Sequence, residues 1–141
     1  MSNLHPLFVH FPVALLTVSL MFEIAFLLRS SAEFTRVAWW LHLVGSAGLL
    51  VSIATGLLAR SDVAIPIRAV SKVEVHEEIA LLVATIFTGL LFWRIRARGV
   101  PAGKGRGLYI AAFGFGVLLM WVGAWYGGEL VYRFGVGATT P

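Results

Sequence analysis

The sequence predicts an all-α integral membrane protein, an up-down bundle of four transmembrane helices. The first observation is composition: 59% of the 141 residues are hydrophobic and 13% are charged, against about 45–50% and about 25% in soluble domains. The second is a mean hydropathy of +0.88. The third is that four continuous apolar stretches are each long enough to cross about 30 Å of hydrocarbon. A soluble enzyme and a disordered chain are therefore excluded, and the lack of cysteine excludes disulfides and thiolate metal sites.

The four stretches are continuous apolar runs, so they predict helices and not the alternating strands of a membrane barrel. Short connections between them predict antiparallel neighbours within a single four-span domain over residues 1–141. No internal repeat is visible in the sequence. The predicted spans are approximately residues 7–28, 37–59, 76–93 and 108–126.

The distribution of basic residues predicts the orientation of the bundle. Seven lysines and arginines follow spans 1 and 3, and four lie on the opposite side. Because loops rich in lysine and arginine stay in the cytoplasm, we expect both termini outside. In a bacterium this places the chain in the inner membrane with periplasmic termini.

Two histidines are predicted to lie at one depth on spans that sit diagonally in the bundle. His10 precedes Arg29 by 19 residues, and His76 precedes Arg94 by 18. Gly56 and Gly123 fall at the same depth on the other two spans and leave room beside the backbone. One imidazole from each side of a flat macrocycle is the arrangement of membrane b-type cytochromes. The pattern therefore predicts a bis-histidine haem b site near the periplasmic face, with His10 and His76 as ligands.

Other interpretations of the histidines stay open. A kink at Pro12 would swing His5 towards the iron in place of His10. His5, His10, His76 and Glu129 would then gather at the outer end, as a set suited to Zn²⁺ or Cu²⁺. A proton site at the same end is a further alternative. A histidine near a span end is also often an interfacial residue with no cofactor, and in that case the chain is a structural or accessory subunit.

A second polar pair is predicted deeper in the first hairpin. Glu23 lies six residues before Arg29, and His42 lies six residues after Arg36. These two side chains therefore share a depth on adjacent helices. We expect a buried carboxylate–imidazole contact that fixes the register of the hairpin and excludes His42 as a haem ligand.

Both ends of the chain resemble a known bacterial family. The His-Pro and Val-His-Phe-Pro elements within residues 4–15, and the Gly-Gly-x-Leu-Val-Tyr element within residues 127–137, are similar to those of domain of unknown function 2231. His76 matches a histidine at the start of the family's third span, whereas Phe134 stands where members often carry histidine. The resemblance implies a four-span inner-membrane protein. Fusions of some relatives to c-type cytochrome domains imply redox partners.

The expected function is thus electron transfer, alone or as a subunit of a redox complex. The expected partners are the lipid bilayer and a cytochrome c, quinone-linked or other respiratory protein, with no nucleic acid. We expect no independent enzymatic activity, because the sequence contains no catalytic triad or carboxylate pair at a known spacing.

Overall fold

The computed structural model describes residues 5–137 and folds them into four long helices. All four are long and apolar enough to cross a membrane. A short 3₁₀ turn at Ile67–Ala69 leads directly into the third helix. The helices are α1 His5–Arg29, α2 Ala32–Asp62, α3 Val70–Arg96 and α4 Lys104–Tyr132. Each contains one predicted span, so the all-α four-helix membrane fold is confirmed.

The helices form a ring in chain order. α1 packs most extensively on α2, and α3 packs on α4, while smaller interfaces join α1 to α4 and α2 to α3. α1 and α3 are therefore diagonal, and they begin at the same end of the bundle. We call this end the histidine end, because His5 and His76 lie there, and the opposite end, where Arg94 lies, the arginine end.

The outside of the bundle is apolar, as a lipid-facing surface must be. Large hydrophobic side chains on every helix point outwards, among them Phe11, Leu58, Phe92 and Trp125. The core is made of aromatic and aliphatic side chains centred on Leu16, Phe87 and Phe113. With no water in hydrocarbon, backbone groups are satisfied within the helices, and the outward apolar side chains contact the bilayer.

The buried positions show an internal repeat that is not visible in the sequence. Every buried residue of α1 has a buried counterpart 71 positions later in α3. The same relation holds between α2 and α4, from Ala38 and Tyr109 to Ser52 and Gly123. In α1 and α3 the pairs are Pro12 and Val83, Leu16 and Phe87, Ser19 and Leu90, and Glu23 and Arg94. This repeat lies in burial and packing more than in residue identity, which is why none is visible in the sequence.

Equivalent residues of the two hairpins also meet one another. The rings of His5 and His76 approach each other, those of His42 and Phe113 lie 4.8 Å apart, and Glu23 pairs with Arg94. Equivalent positions contact each other only near a two-fold axis. Since α1 and α3 run in the same direction, this pseudo-two-fold axis is parallel to the helices.

Candidate functional site

His5 is held at the histidine end by the helix beside it. Its Nδ1 lies 2.9 Å from the carbonyl oxygen of Ser52 on α2 and 3.4 Å from Thr55 Oγ1. A carbonyl only accepts hydrogen bonds, so Nδ1 carries the proton and donates it. The ring also lies against Gly56, where an added Cβ would come within 3.0 Å of His5 Cε1. α2 thus fixes both the tautomer and the position of this imidazole.

His76 is held in the same way by α4. Its Nδ1 donates to the carbonyl oxygen of Gly123 at 2.9 Å. A Cβ on Gly127 would come within 3.1 Å of His76 Cε1. In both hairpins the accepting carbonyl belongs to the residue four positions before the glycine. Since the glycine has no Cβ, the imidazole can reach this carbonyl, which lies one helical turn earlier in the chain.

The two imidazoles meet edge to face near the pseudo-two-fold axis. Their ring centres are 6.3 Å apart and their planes are inclined by 79°. Both rings are half-buried. Their protonated nitrogens are directed to helix backbone, so the lone pair of each neutral ring is on Nε2.

A cavity of about 230 Å³ lies between the helices at this end. His5, His76, Gly56, Gly123 and Gly127 all line it, with mainly aliphatic side chains around them. Gly123 also packs on Ile79, whose Cγ2 would be 3.0 Å from an added Cβ. The predicted glycine pair therefore borders the site, although its nearest contacts are an imidazole and an isoleucine.

One ion pair lines this cavity, and a second group of charged side chains lies at the same end of the bundle. Arg60 lines it and pairs with Glu77, which also lines it. Glu129 lies between Lys72 and Arg133, at 3.2 and 2.7 Å. Most basic side chains at the histidine end are thus already partnered by carboxylates.

The structure places His5, not His10, beside His76. His10 is exposed, and its Nδ1 donates to the carbonyl oxygen of Pro6 on its own helix at 2.7 Å. The depth estimate failed because it took Arg94 for a residue outside the span. Arg94 is 2% exposed and lies inside the bundle opposite Glu23, so His76 matches a residue nearer the start of α1. The expected His10–His76 pair is corrected to His5–His76, and binding of a cofactor stays a prediction.

The expected four-ligand metal set does not assemble. Within residues 5–137, no group of three or more histidine, aspartate and glutamate side chains comes within reach of one metal ion. His10 points away from His5, since residues five apart on a helix face different directions. Glu129 is occupied by Lys72 and Arg133.

The expected contact between Glu23 and His42 is also wrong. The buried carboxylate of Glu23 pairs with Arg94, which also donates from Nη2 to the carbonyl oxygen of Thr35 at 2.8 Å. His42 donates from Nε2 to the Phe87 carbonyl oxygen at 3.1 Å and accepts at Nδ1 from the Tyr109 hydroxyl at 3.3 Å. Glu23 and His42 are both buried and contribute to helix packing. The partner of Glu23, however, is an arginine of α3 and not a residue of the first hairpin.

The feature that identifies His5 is the buried face of α1, which the packing of the four helices defines. Pro12, the first buried position of α1, lies seven residues after His5, and Val83, a buried position of α3, lies seven residues after His76. Seven residues are close to two full helical turns, so each histidine extends the buried stripe of its own helix. Depth counting ignored the face of the helix, which is why it selected His10.

Comparison with known proteins gives one positive result. Residues 1–140 match the family described as "Predicted membrane protein (DUF2231)". The chain belongs to this family. No curated protein and no solved structure matches it. The DUF2231 chain is therefore a four-helix membrane protein whose family carries no assigned function.

Proposed function

We propose that this DUF2231 protein is an electron-transfer protein that binds haem b, which His5 and His76 would hold. The observation that carries the proposal is the pair of neighbouring imidazoles, with ring centres 6.3 Å apart and both Nδ1 atoms donating to backbone carbonyls. Two imidazoles that bind one metal from opposite sides have ring centres about 6 Å apart. This follows from metal–nitrogen bonds of about 2 Å, with each ring centre about 1 Å beyond its nitrogen.

The protein prepares both rings for this role. Metal-binding histidines usually donate their second ring N–H to a carbonyl or carboxylate, which fixes the tautomer and increases ligand basicity. His5 and His76 do this through Ser52 and Gly123. His42 is unsuited, because both of its nitrogens are used within the core. Haem, when bound, supplies one-electron redox chemistry.

The surroundings favour a redox centre shielded from water. Aliphatic side chains such as Val9, Ile53 and Val83 line the cavity. Arg60 is the basic residue that lines it, and a ligand carboxylate would have to replace Glu77 on that guanidinium. The site lies near the amino ends of α1 and α3, where a cytochrome c or quinone-linked partner could approach.

A single copper or zinc ion is a second candidate for the same pair. The supporting observation is the volume of about 230 Å³, which is below the about 300–1,000 Å³ of typical ligand pockets. Imidazole suits both metals. This candidate uses the same two histidines. The visible spectrum and the metal content of the purified protein therefore distinguish it from haem.

Purified full-length protein, produced with added haem, tests the proposal by visible spectroscopy and metal analysis. We expect a Soret band and the sharp bands of a six-coordinate, low-spin b-type haem. His5→Ala and His76→Ala should each abolish the low-spin spectrum. His10→Ala and His42→Ala are the matched controls and should retain it.

Each other outcome has a defined meaning. A colourless protein with copper or zinc that disappears in the His5 and His76 variants supports the second candidate. A protein that contains neither iron nor another metal overturns both, and the chain is then a cofactor-free structural or accessory subunit. A low-spin spectrum that survives His5→Ala overturns the assignment of this ligand.

A further inference from the structure

A second pocket, at the arginine end, is independent of the histidine pair. It has a volume of about 500 Å³ and lies between the first turns of α2 and the last turn of α3. Arg36, Arg94 and Arg98 line it with Thr35 and Trp39, and none of the lining residues is acidic. Its size falls within the about 300–1,000 Å³ of ligand-binding sites.

The pocket carries an excess of positive charge. Arg94 is neutralised by Glu23 and lies 5.4 Å from the ring centre of Trp39. Arg36 and Arg98 have no ion pair or side-chain hydrogen bond to any residue of the described range 5–137. The amino end of α2 adds the positive end of a helix dipole, and the carboxylate of its first turn, Glu33, is exposed and does not line the pocket. An anion would thus meet two unneutralised guanidinium groups.

The backbone at Arg98 is unusual for an arginine. α3 ends with Gly99 N–H bonded to the Arg94 carbonyl at 3.1 Å and Arg98 N–H bonded to the Ile95 carbonyl at 3.0 Å. This is a Schellman motif, in which the position of Arg98 is usually glycine because φ is positive there. Arg98 has a φ of 53°, which is unfavourable for a residue with a Cβ. A strained residue of this kind suggests that its side chain serves a function.

We propose that this pocket binds the phosphate of an anionic phospholipid. Arginine guanidinium groups bind phosphate through paired hydrogen bonds, and basic pockets between transmembrane helices bind anionic headgroups. The adjoining helix surface is apolar: Ile95 and Val37 are 55% and 38% exposed. Acyl chains can lie against that surface while the phosphate occupies the pocket, an arrangement that a free phosphate ion would not use.

The test uses the full-length protein in a neutral detergent, titrated with phosphatidylglycerol, phosphatidylcholine or inorganic phosphate. Native mass spectrometry measures bound lipid, and thermal unfolding measures stabilisation. We expect phosphatidylglycerol to bind and stabilise at lower concentration than phosphatidylcholine, and inorganic phosphate to have little effect. Arg36→Gln and Arg98→Gln should each weaken phosphatidylglycerol binding about five-fold.

Arg96→Gln is the matched control, because Arg96 is exposed at the same end of α3 but does not line the pocket. Its binding should stay within two-fold of the unmodified protein, a margin set by ordinary surface electrostatics. Arg98→Gly separates folding from binding: relief of the positive φ should raise the unfolding temperature without lipid, while phosphatidylglycerol binding still falls.

Three results would overturn the proposal. The first is equal loss in Arg96→Gln and Arg98→Gln, which would indicate general surface charge. The second is equal binding of phosphatidylcholine and phosphatidylglycerol. The third is that inorganic phosphate alone reproduces the stabilisation and competes with phosphatidylglycerol, which would make the pocket a site for the free anion.

Discussion

The histidine pair depends on two glycines as much as on the histidines themselves. Gly56 and Gly127 each lie beside one imidazole ring. Without a Cβ they let that ring reach a carbonyl one turn away, on Ser52 and Gly123. In lipid such small residues are usually explained by close helix packing. Here they also give a side-chain donor access to the helix backbone.

Replacement of Gly127 by alanine should therefore act on the site. The new Cβ would lie 3.1 Å from His76 Cε1, and the hydrogen bond to Gly123 limits how far the ring can move. Gly128→Ala is the control, because nothing lies within 4 Å of its Cβ. Alanine at 128 should raise the free energy of unfolding by up to about 1 kcal/mol.

Thermal unfolding in detergent compares the stability of the Gly127→Ala and Gly128→Ala variants. Gly127→Ala should be less stable than Gly128→Ala and should bind any cofactor of the histidine pair more weakly. If the two variants gain stability equally, Gly127 does not confine His76.

Helix pairing across the diagonal depends on one ion pair. Glu23 of α1 and Arg94 of α3 are both buried, and one carboxylate oxygen, Glu23 Oε2, has no hydrogen-bond partner within the described residues. Loss of one partner from a buried pair costs about 3–5 kcal/mol, because the remaining charge is uncompensated. The pair therefore fixes how the two hairpins dock at the arginine end.

Exchange of these charges tests both the ion pair and the pseudo-two-fold axis. Glu23→Arg and Arg94→Glu should each destabilise the protein by about 3 kcal/mol or more, since each buries like charges together. Because the two positions are equivalent, the double variant restores an ion pair across the axis and should recover more than half of the loss. A double-mutant cycle on thermal unfolding measures this coupling. Purely additive losses would contradict the equivalence of the two positions.

The bundle as a whole is two similar helical hairpins that share one axis. The histidine end brings the equivalent residues His5 and His76 together, and the arginine end brings Glu23 and Arg94 together. The same two-fold relation thus produces a paired-imidazole site at one end and a structural ion pair at the other. The two hairpins differ at some equivalent positions. Glu23 in one is acidic and Arg94 in the other is basic, so the two hairpins are complementary in charge there.

Orientation in the membrane stays a prediction and can be measured with reporter fusions. Seven basic residues at the arginine end, or six without the buried Arg94, against four at the histidine end predict that both termini are periplasmic. A reporter that works only in the periplasm should be active after residue 141, and one that works only in the cytoplasm should be inactive there. The reverse result would place the histidine pair on the cytoplasmic side.

The sequence alone determined the class of fold, because apolar runs of about 20 residues have few alternatives in a bilayer. It also indicated that His76 and a histidine of α1 belong together. Only the tertiary structure decided that this residue is His5, because the choice depends on which face of α1 is buried. It likewise decided that Arg94 is the partner of Glu23. That pair joins residues 71 positions apart on diagonal helices. Such a contact cannot be predicted from hydropathy or from residue spacing within one hairpin.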